Sequence, residues 1–138
     1  PAPPAAGRSR GPVMPAAGRV VVRFGEAAAG PRDHGIVIGA VPGQTVDAPA
    51  AGRVAFAGSF RSYGLLLIID HGDGYHSLLS GMSRLHVGVK QWVRAGEPVA
   101  SFDDLGEIGP QLYVELRRNG RPVNPLSWLA ASDSKVRG

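Results

Sequence analysis

The stretch GPQLYVELRRNGRPVNPLSWL, residues 109–129, has the alternation of a β-strand followed by a hairpin turn. One side of the strand is aliphatic and is expected to face the core: Leu112, Val114 and Leu116. The other side carries Gln111, Tyr113, Glu115 and Arg117. Asn119-Gly120 is a strong turn signal, and only the final PLSWL indicates a helical turn. A face with a large tyrosine is typical of a binding surface as well as of a solvated sheet.

The sequence before this stretch predicts more short strands separated by glycine-rich turns. Candidate strands span residues 19–24, 35–41, 53–58, 65–70, 76–80 and 98–102. Val37 is apolar on the face opposite Ile36 and Ile38, between two glycines, which suits the floor of a groove. No intervening segment is long enough for a crossover helix. The pattern predicts an all-β fold, an antiparallel sandwich or barrel.

The composition predicts one folded domain with irregular ends. A chain of 138 residues is enough for one domain with its own core. Residues 1–18 are rich in proline, alanine and glycine, which is linker composition, and residues 131–138 resemble a flexible tail. The domain is therefore expected at residues 19–130. The chain starts at Pro1 without a methionine, so we interpret it as a fragment of a longer protein.

Charge and residue usage exclude several classes of protein. The net charge is +4, but the arginines are scattered without aromatic interleaving, so a nucleic-acid partner is not expected. The longest apolar run, residues 65–69, is too short to span a membrane, so no membrane insertion is expected. The absence of cysteine excludes disulfides and thiolate metal sites.

A set of local signatures occurs in a fixed order along the chain. They are Pro42-Gly43, Ala51-Gly52-Arg53-Val54, Tyr63-Gly64, Asp70-His71-Gly72, and Asn124-Pro125 with Trp128-Leu129. Each is weak alone, but the ordered set resembles the LytM domain of M23 peptidases over about residues 13–129. The resemblance implies an antiparallel β sandwich of the barrel-sandwich hybrid type with a long open groove. That fold agrees with the strands predicted independently.

The same resemblance implies that the catalytic site has been lost. M23 enzymes are zinc endopeptidases of bacterial cell wall, and zinc needs imidazole, carboxylate or thiolate ligands plus an open position for water. The family's ligand positions fall on Asp33, Val37 and Tyr113, and its assisting histidines on Gly81 and Gln111. Only Asp33 retains ligand chemistry, since a phenol stays protonated near neutral pH. We therefore expect no metal, no cofactor and no catalytic residue.

The remaining histidines and serines do not suggest another active site. His71 follows a buried strand, where the family often has a structural histidine, and His76 and His86 are expected to be solvated. His34 lies one residue from a zinc-ligand position, but the adjoining Gly35 fixes the alignment. No Gly-x-Ser-x-Gly motif is present to mark a serine nucleophile.

The pattern of loss specifically resembles EnvC-type murein hydrolase activators. The resemblance implies a groove that captures a helix of a zinc-dependent N-acetylmuramoyl-L-alanine amidase, in the periplasm of a Gram-negative bacterium, during septal peptidoglycan splitting. It also implies a link to the FtsEX division complex through regions absent from this chain. The groove residues expected to contact the partner are His34, Val37, Tyr63, Leu79, Gly81, Gln111, Tyr113 and Arg117. Of these, Val37, Tyr63, Leu79 and Tyr113 are predicted to give apolar contact, while His34 and Arg117 give polar or charged contact at the rim.

Two alternatives remain open at this point. A residual zinc metallopeptidase would show stoichiometric zinc in the purified domain together with lysis of wall material. A non-catalytic peptidoglycan-binding module would sediment with peptidoglycan, and that sedimentation would change on Tyr113→Ala.

Overall fold

The computed structural model describes residues 11–26, 34–103 and 109–129. Short extended segments dominate these residues, as β-branched and aliphatic runs between glycines favour. The strands are β1 (Val20–Val22), β2 (Ile36–Gly39), β3 (Thr45–Asp47), β4 (Gly52–Ser59), β5 (Leu65–Gly72), β6 (Tyr75–Ser80), β7 (Arg84–Leu85), β8 (Trp92–Val93), β9 (Pro98–Ser101), β10 (Gln111–Arg118) and β11 (Arg121–Val123). A 3-10 turn spans Arg61–Tyr63, and one helical turn spans residues 125–129.

The strands form a large and a small antiparallel sheet. The large sheet has eight strands in the order β1-β2-β10-β6-β5-β4-β8, with β11 paired to the second half of β10. The small sheet has three strands in the order β3-β9-β7. All pairings are antiparallel, which confirms the predicted fold class.

The core lies between one face of the large sheet and the small sheet. From the large sheet come alternate residues such as Ile36, Leu67 and Val114, and from the small sheet come Val46 and Val99, all buried. Because side chains alternate across a strand, the residues between them on β2, β5, β6 and β10 point away from this core. We call that opposite surface the outer face.

Three strands were not predicted from the sequence. They are β3, β7 and β8, which have three, two and two residues. Such lengths are too short to show a period of two, so their neighbours in the fold define them. The prediction for residues 1–18 also needs correction, because Ala16 is 3% exposed within the core and the Asp47 amide donates to the Pro15 carbonyl at 2.7 Å. Packing therefore begins before residue 19. The predicted tail at residues 131–138 lies outside the described residues.

His71 has the structural role that the sequence predicts. Its Nδ1 lies 2.8 Å from the Ala51 carbonyl oxygen and its Nε2 lies 2.7 Å from the Ser77 hydroxyl, so both ring nitrogens are satisfied inside the fold. The ring also packs 5.4 Å from Trp128, which stacks on Tyr75 with an interplanar angle of 7°. His71 therefore helps to hold the C-terminal helical turn against the sheet.

The buried His71 should make stability depend on pH. Burial lowers the pKa of His71 below its usual 6.5. The unfolded chain therefore binds a proton on His71 at a higher pH than the folded chain does. The free energy of unfolding is highest above the unfolded-state pKa and decreases as the pH falls from that value towards the lower folded-state pKa. We expect the free energy of unfolding to fall more between pH 7.5 and 5 in the wild type than in His71→Gln. Equal pH slopes in denaturant titrations of the two proteins would contradict this role, and His86→Gln serves as an exposed control.

No helix of the described residues is long and apolar enough to cross a membrane.

Candidate functional site

The centre of the outer face is a row of directly opposed residues on neighbouring strands. Tyr113 of β10 lies opposite Val37 of β2 on one side and opposite Ser80 of β6 on the other. Ser80 in turn lies opposite Leu66 of β5. Antiparallel pairing brings such residues within contact distance although they are far apart in sequence. The structure thus brings together Val37 and Tyr113, two positions that the family resemblance identifies as lost zinc ligands.

The predicted groove residues divide into a buried floor and an accessible rim. Val37 and Tyr113 expose only 4% and 2% of their surface, so they form the floor. The rim contains three exposed residues, His34, Gly81 and Gln111, and two half-buried residues, Tyr63 and Arg117. A partner would contact the rim residues first, and Val37 and Tyr113 would pack beneath the rim.

The prediction that Leu79 contributes to the groove is wrong. Leu79 lies opposite Val114 of β10 and Leu67 of β5, both of which face the core, and it is fully buried there. Its neighbours Leu78 and Ser80 lie on the outer face instead, because adjacent residues of a strand point to opposite sides. Asp33, the one retained ligand type, lies outside the described residues.

A row of aromatic rings crosses the outer face from β4 to β10. Ring centroids are 5.7 Å apart for Phe56 and Phe60, 6.4 Å for Phe60 and Tyr63, and 6.2 Å for Tyr63 and Tyr113. Phe60 is 40% exposed, and the Arg61 guanidinium lies 5.5 Å above its ring. Aromatic rings and arginine are the side chains enriched in protein interfaces. This aromatic row therefore extends the site beyond the residues predicted from the sequence.

A buried carboxylate lies beneath the rings. Glu115 has no exposed surface, and its Oε1 accepts a hydrogen bond from the Tyr113 hydroxyl at 2.7 Å. Its Oε2 accepts from the Nε of Arg117 at 3.1 Å and lies 3.1 Å from Nη2 of the same guanidinium. The Tyr63 hydroxyl is more distant, at 3.4 Å from Oε1. Donors thus reach both carboxylate oxygens, as a buried charge requires.

The electrostatics keep both phenols protonated. Burial raises the pKa of Tyr113, and the hydrogen bond and charge of Glu115 raise it further. Burial and the Glu115 charge likewise raise the pKa of Tyr63. A protonated phenol that already donates to a carboxylate has no negative charge to offer a cation.

The residues present do not fit the zinc ion that M23 enzymes carry. Val37 and Tyr113 are the two described positions to which the family resemblance assigns zinc ligands. An aliphatic side chain and a protonated phenol supply no zinc ligand. Among the described residues there is no group of three or more His, Asp or Glu side chains that could hold a metal.

At two glycines of this face the backbone lies too close to β10 for a side chain. A Cβ on Gly35 would lie 2.3 Å from the Val114 carbonyl oxygen and 3.0 Å from the Tyr113 ring. Gly81 has φ of +107°, and a Cβ there would lie 2.2 Å from the Gln111 carbonyl oxygen. A side chain at position 81 would therefore require β10 or the backbone of residue 81 to move.

Sequence reasoning missed Phe56, Phe60 and Glu115 as parts of this site. The alternation of β10 places Glu115 on the correct face, but it does not predict that Glu115 is buried. The available signal was the spacing Tyr113-x-Glu115-x-Arg117, which sets a carboxylate between a hydroxyl and a guanidinium on one face of a strand. Nothing in the local sequence of Phe56 or Phe60 shows that their rings meet Tyr63, because the turn at Arg61–Tyr63 brings them together.

Residues 31–125 match the family model described as Peptidase family M23. The chain belongs to this family. Its resemblance to LytM domains, stated from the sequence motifs, is thereby confirmed. Csd3 of Helicobacter pylori has the same fold as this M23 domain, with a TM-score of 0.74 at 20% identity over 94% of this chain and 40% of Csd3.

Two similar proteins of Escherichia coli (strain K12) are named murein hydrolase activators. EnvC is 43% identical to this M23 domain over 117 residues, which cover 83% of this chain and 28% of EnvC. NlpD is 38% identical over 116 residues, which cover 83% of this chain and 30% of NlpD. The M23 domain thus spans less than a third of either relative.

Proposed function

We propose that this M23 domain is a non-catalytic activator of a cell-wall hydrolase. The observation that carries the proposal is the 43% identity to a murein hydrolase activator over 83% of the chain. The chemistry of the outer face supports it, because Val37 and Tyr113 cannot replace an aspartate and a histidine on zinc. The domain would act in the periplasm, where the cell wall and its hydrolases are found.

The partner we propose is a zinc-dependent N-acetylmuramoyl-L-alanine amidase whose active site is covered by its own helix. The aromatic row and Arg117 provide the apolar and cationic contacts that helix-in-groove recognition uses. With the helix captured on the outer face, the amidase active site is open to peptidoglycan. The proposal includes a link to the FtsEX division complex, which would be made by other regions of a longer protein.

Activation by this route is a population shift. A partner helix that is bound only when it has left the amidase active site favours the open amidase. Moving the amidase from about 1% to about 99% open requires the domain to bind the open form about 10⁴-fold more tightly. A difference of this size, about 5.5 kcal/mol, lies within the range of free energies that protein interfaces reach.

The test measures dye release from labelled peptidoglycan by a candidate amidase of the same organism. We expect strong release when the domain and amidase are mixed and little release with either protein alone. Release by the domain alone that is abolished by a zinc chelator would contradict the proposal and favour a peptidase. Sedimentation of the domain with peptidoglycan, without any effect on the amidase, would instead favour a wall-binding module.

A further inference from the structure

Glu115 lies on the outer face and contacts three side chains of the proposed partner site. It bonds to Tyr113 and Arg117, and the Tyr63 hydroxyl lies 3.4 Å from its Oε1. Glu115 itself is fully buried, so a partner cannot touch it. Its contribution to binding must therefore come through the side chains that it holds.

We propose that Glu115 is a positioning residue, which fixes Tyr113 and Arg117 in the geometry that receives the amidase helix. This inference rests on the proposed function of the outer face. The carboxylate uses one oxygen for the phenol and the other for the guanidinium, so both side chains are set by a single buried group. Glu115 also positions Tyr63 indirectly, because the ring centroid of Tyr63 lies 6.2 Å from that of Tyr113.

The arrangement leaves part of Arg117 available for a partner. Its Nε and Nη2 face Glu115, while 34% of the side chain is exposed. A guanidinium has five N–H donors, so others remain for an acidic or carbonyl group on the partner. An arginine ordered before binding loses less side-chain entropy on association than a free one. Preorganisation of the rim is the physical advantage that Glu115 supplies.

The experiment compares Glu115→Gln with Glu97→Gln as the matched control. Glu97→Gln is the same chemical substitution at a residue away from the outer face. The Glu97 carboxylate accepts a hydrogen bond from the Arg94 amide at 3.0 Å. Affinity for the amidase is measured by titration calorimetry. We expect Glu115→Gln to raise the Kd about tenfold, the factor typical of one charge-assisted hydrogen bond, and Glu97→Gln to leave it unchanged.

A spectroscopic readout separates positioning from a general loss of structure. In nitrogen-15 labelled domain, the Arg117 Nε–H should give a slowly exchanging signal in the wild type and in Glu97→Gln, and lose it in Glu115→Gln. Tyr113→Phe provides a second variant that leaves the Glu115–Arg117 pair intact. It keeps the ring but removes the hydroxyl that Glu115 holds, so we expect weaker amidase binding with the Arg117 signal preserved.

The outcomes are distinguishable from failure of the proposed function. If the wild type neither binds nor activates any amidase, the proposed function fails and this inference with it. If the wild type binds and Glu115→Gln binds equally well while folded, only the positioning role is overturned. If Glu115→Gln does not fold, wild-type affinity in Tyr113→Phe overturns the positioning role and a weakened affinity supports it.

Discussion

Replacing Leu67 with alanine is expected to lower the free energy of unfolding by about 2–5 kcal/mol, as deletion of a large buried aliphatic side chain does. Leu67 lies in the middle of β5, has no exposed surface, and is paired with Leu79 and Ala57 on the neighbouring strands. Strands pack on both sides of it, so the cavity cannot easily collapse. The measurement is equilibrium unfolding in urea, with the wild type for comparison.

The control for this prediction is Val41→Ala. Val41 is 60% exposed, so its truncation should change the free energy of unfolding by less than about 0.5 kcal/mol. A loss below about 1 kcal/mol for Leu67→Ala would contradict the placement of the core between the two sheets.

Replacing Tyr63 with alanine is expected to weaken amidase binding about 30-fold, which corresponds to the roughly 2 kcal/mol of an interface hot spot. Tyr63 is a half-buried member of the aromatic row, and its ring centroid lies 6.4 Å from that of Phe60 and 6.2 Å from that of Tyr113. It is a better probe than Tyr113, which is 2% exposed and whose removal would open a cavity in the domain. Dye release in the presence of the amidase should fall in parallel with affinity.

Two controls accompany the Tyr63 variant. Tyr63→Phe keeps the ring and removes only a hydroxyl 3.4 Å from Glu115, so it should bind nearly as well as the wild type. Tyr75→Ala removes a tyrosine that stacks on Trp128 away from the aromatic row, and it should retain affinity for the amidase. If Tyr63→Ala binds the amidase with wild-type affinity, the aromatic row is not part of the interface.

The sequence was sufficient for the fold class and for most of the large sheet. Residues in β2, β5, β6 and β10 show a clear period of two or a continuous apolar run, and each of these strands was predicted within a few residues of its observed bounds. The strands of the small sheet were harder, because β3 and β7 have only three and two residues and carry no period of their own. Their positions depend on contacts that no local pattern records.

The site was predicted in part, and the errors have a physical cause. Tyr113 and Val37 were placed on one face correctly, because alternation fixes which side a residue takes once the strand is known. Leu79 was carried across by family resemblance alone, against the alternation that puts it with Leu67 and Val114 in the core. Alternation puts Glu115 on the same face as Tyr113 but does not predict its burial, because the burial of a carboxylate depends on donors from side chains such as Tyr113 and Arg117.

We expect the outer face, and not another surface of the domain, to bind the amidase. Chemical-shift mapping of the nitrogen-15 labelled domain during titration with amidase tests it most directly. We predict that the largest changes fall on the outer face, around Tyr63, Ser80, Gln111 and Arg117, while Tyr75 and Trp128 stay unchanged. Changes centred on Tyr75 and Trp128, or on the small sheet, with the outer face undisturbed, would contradict the account.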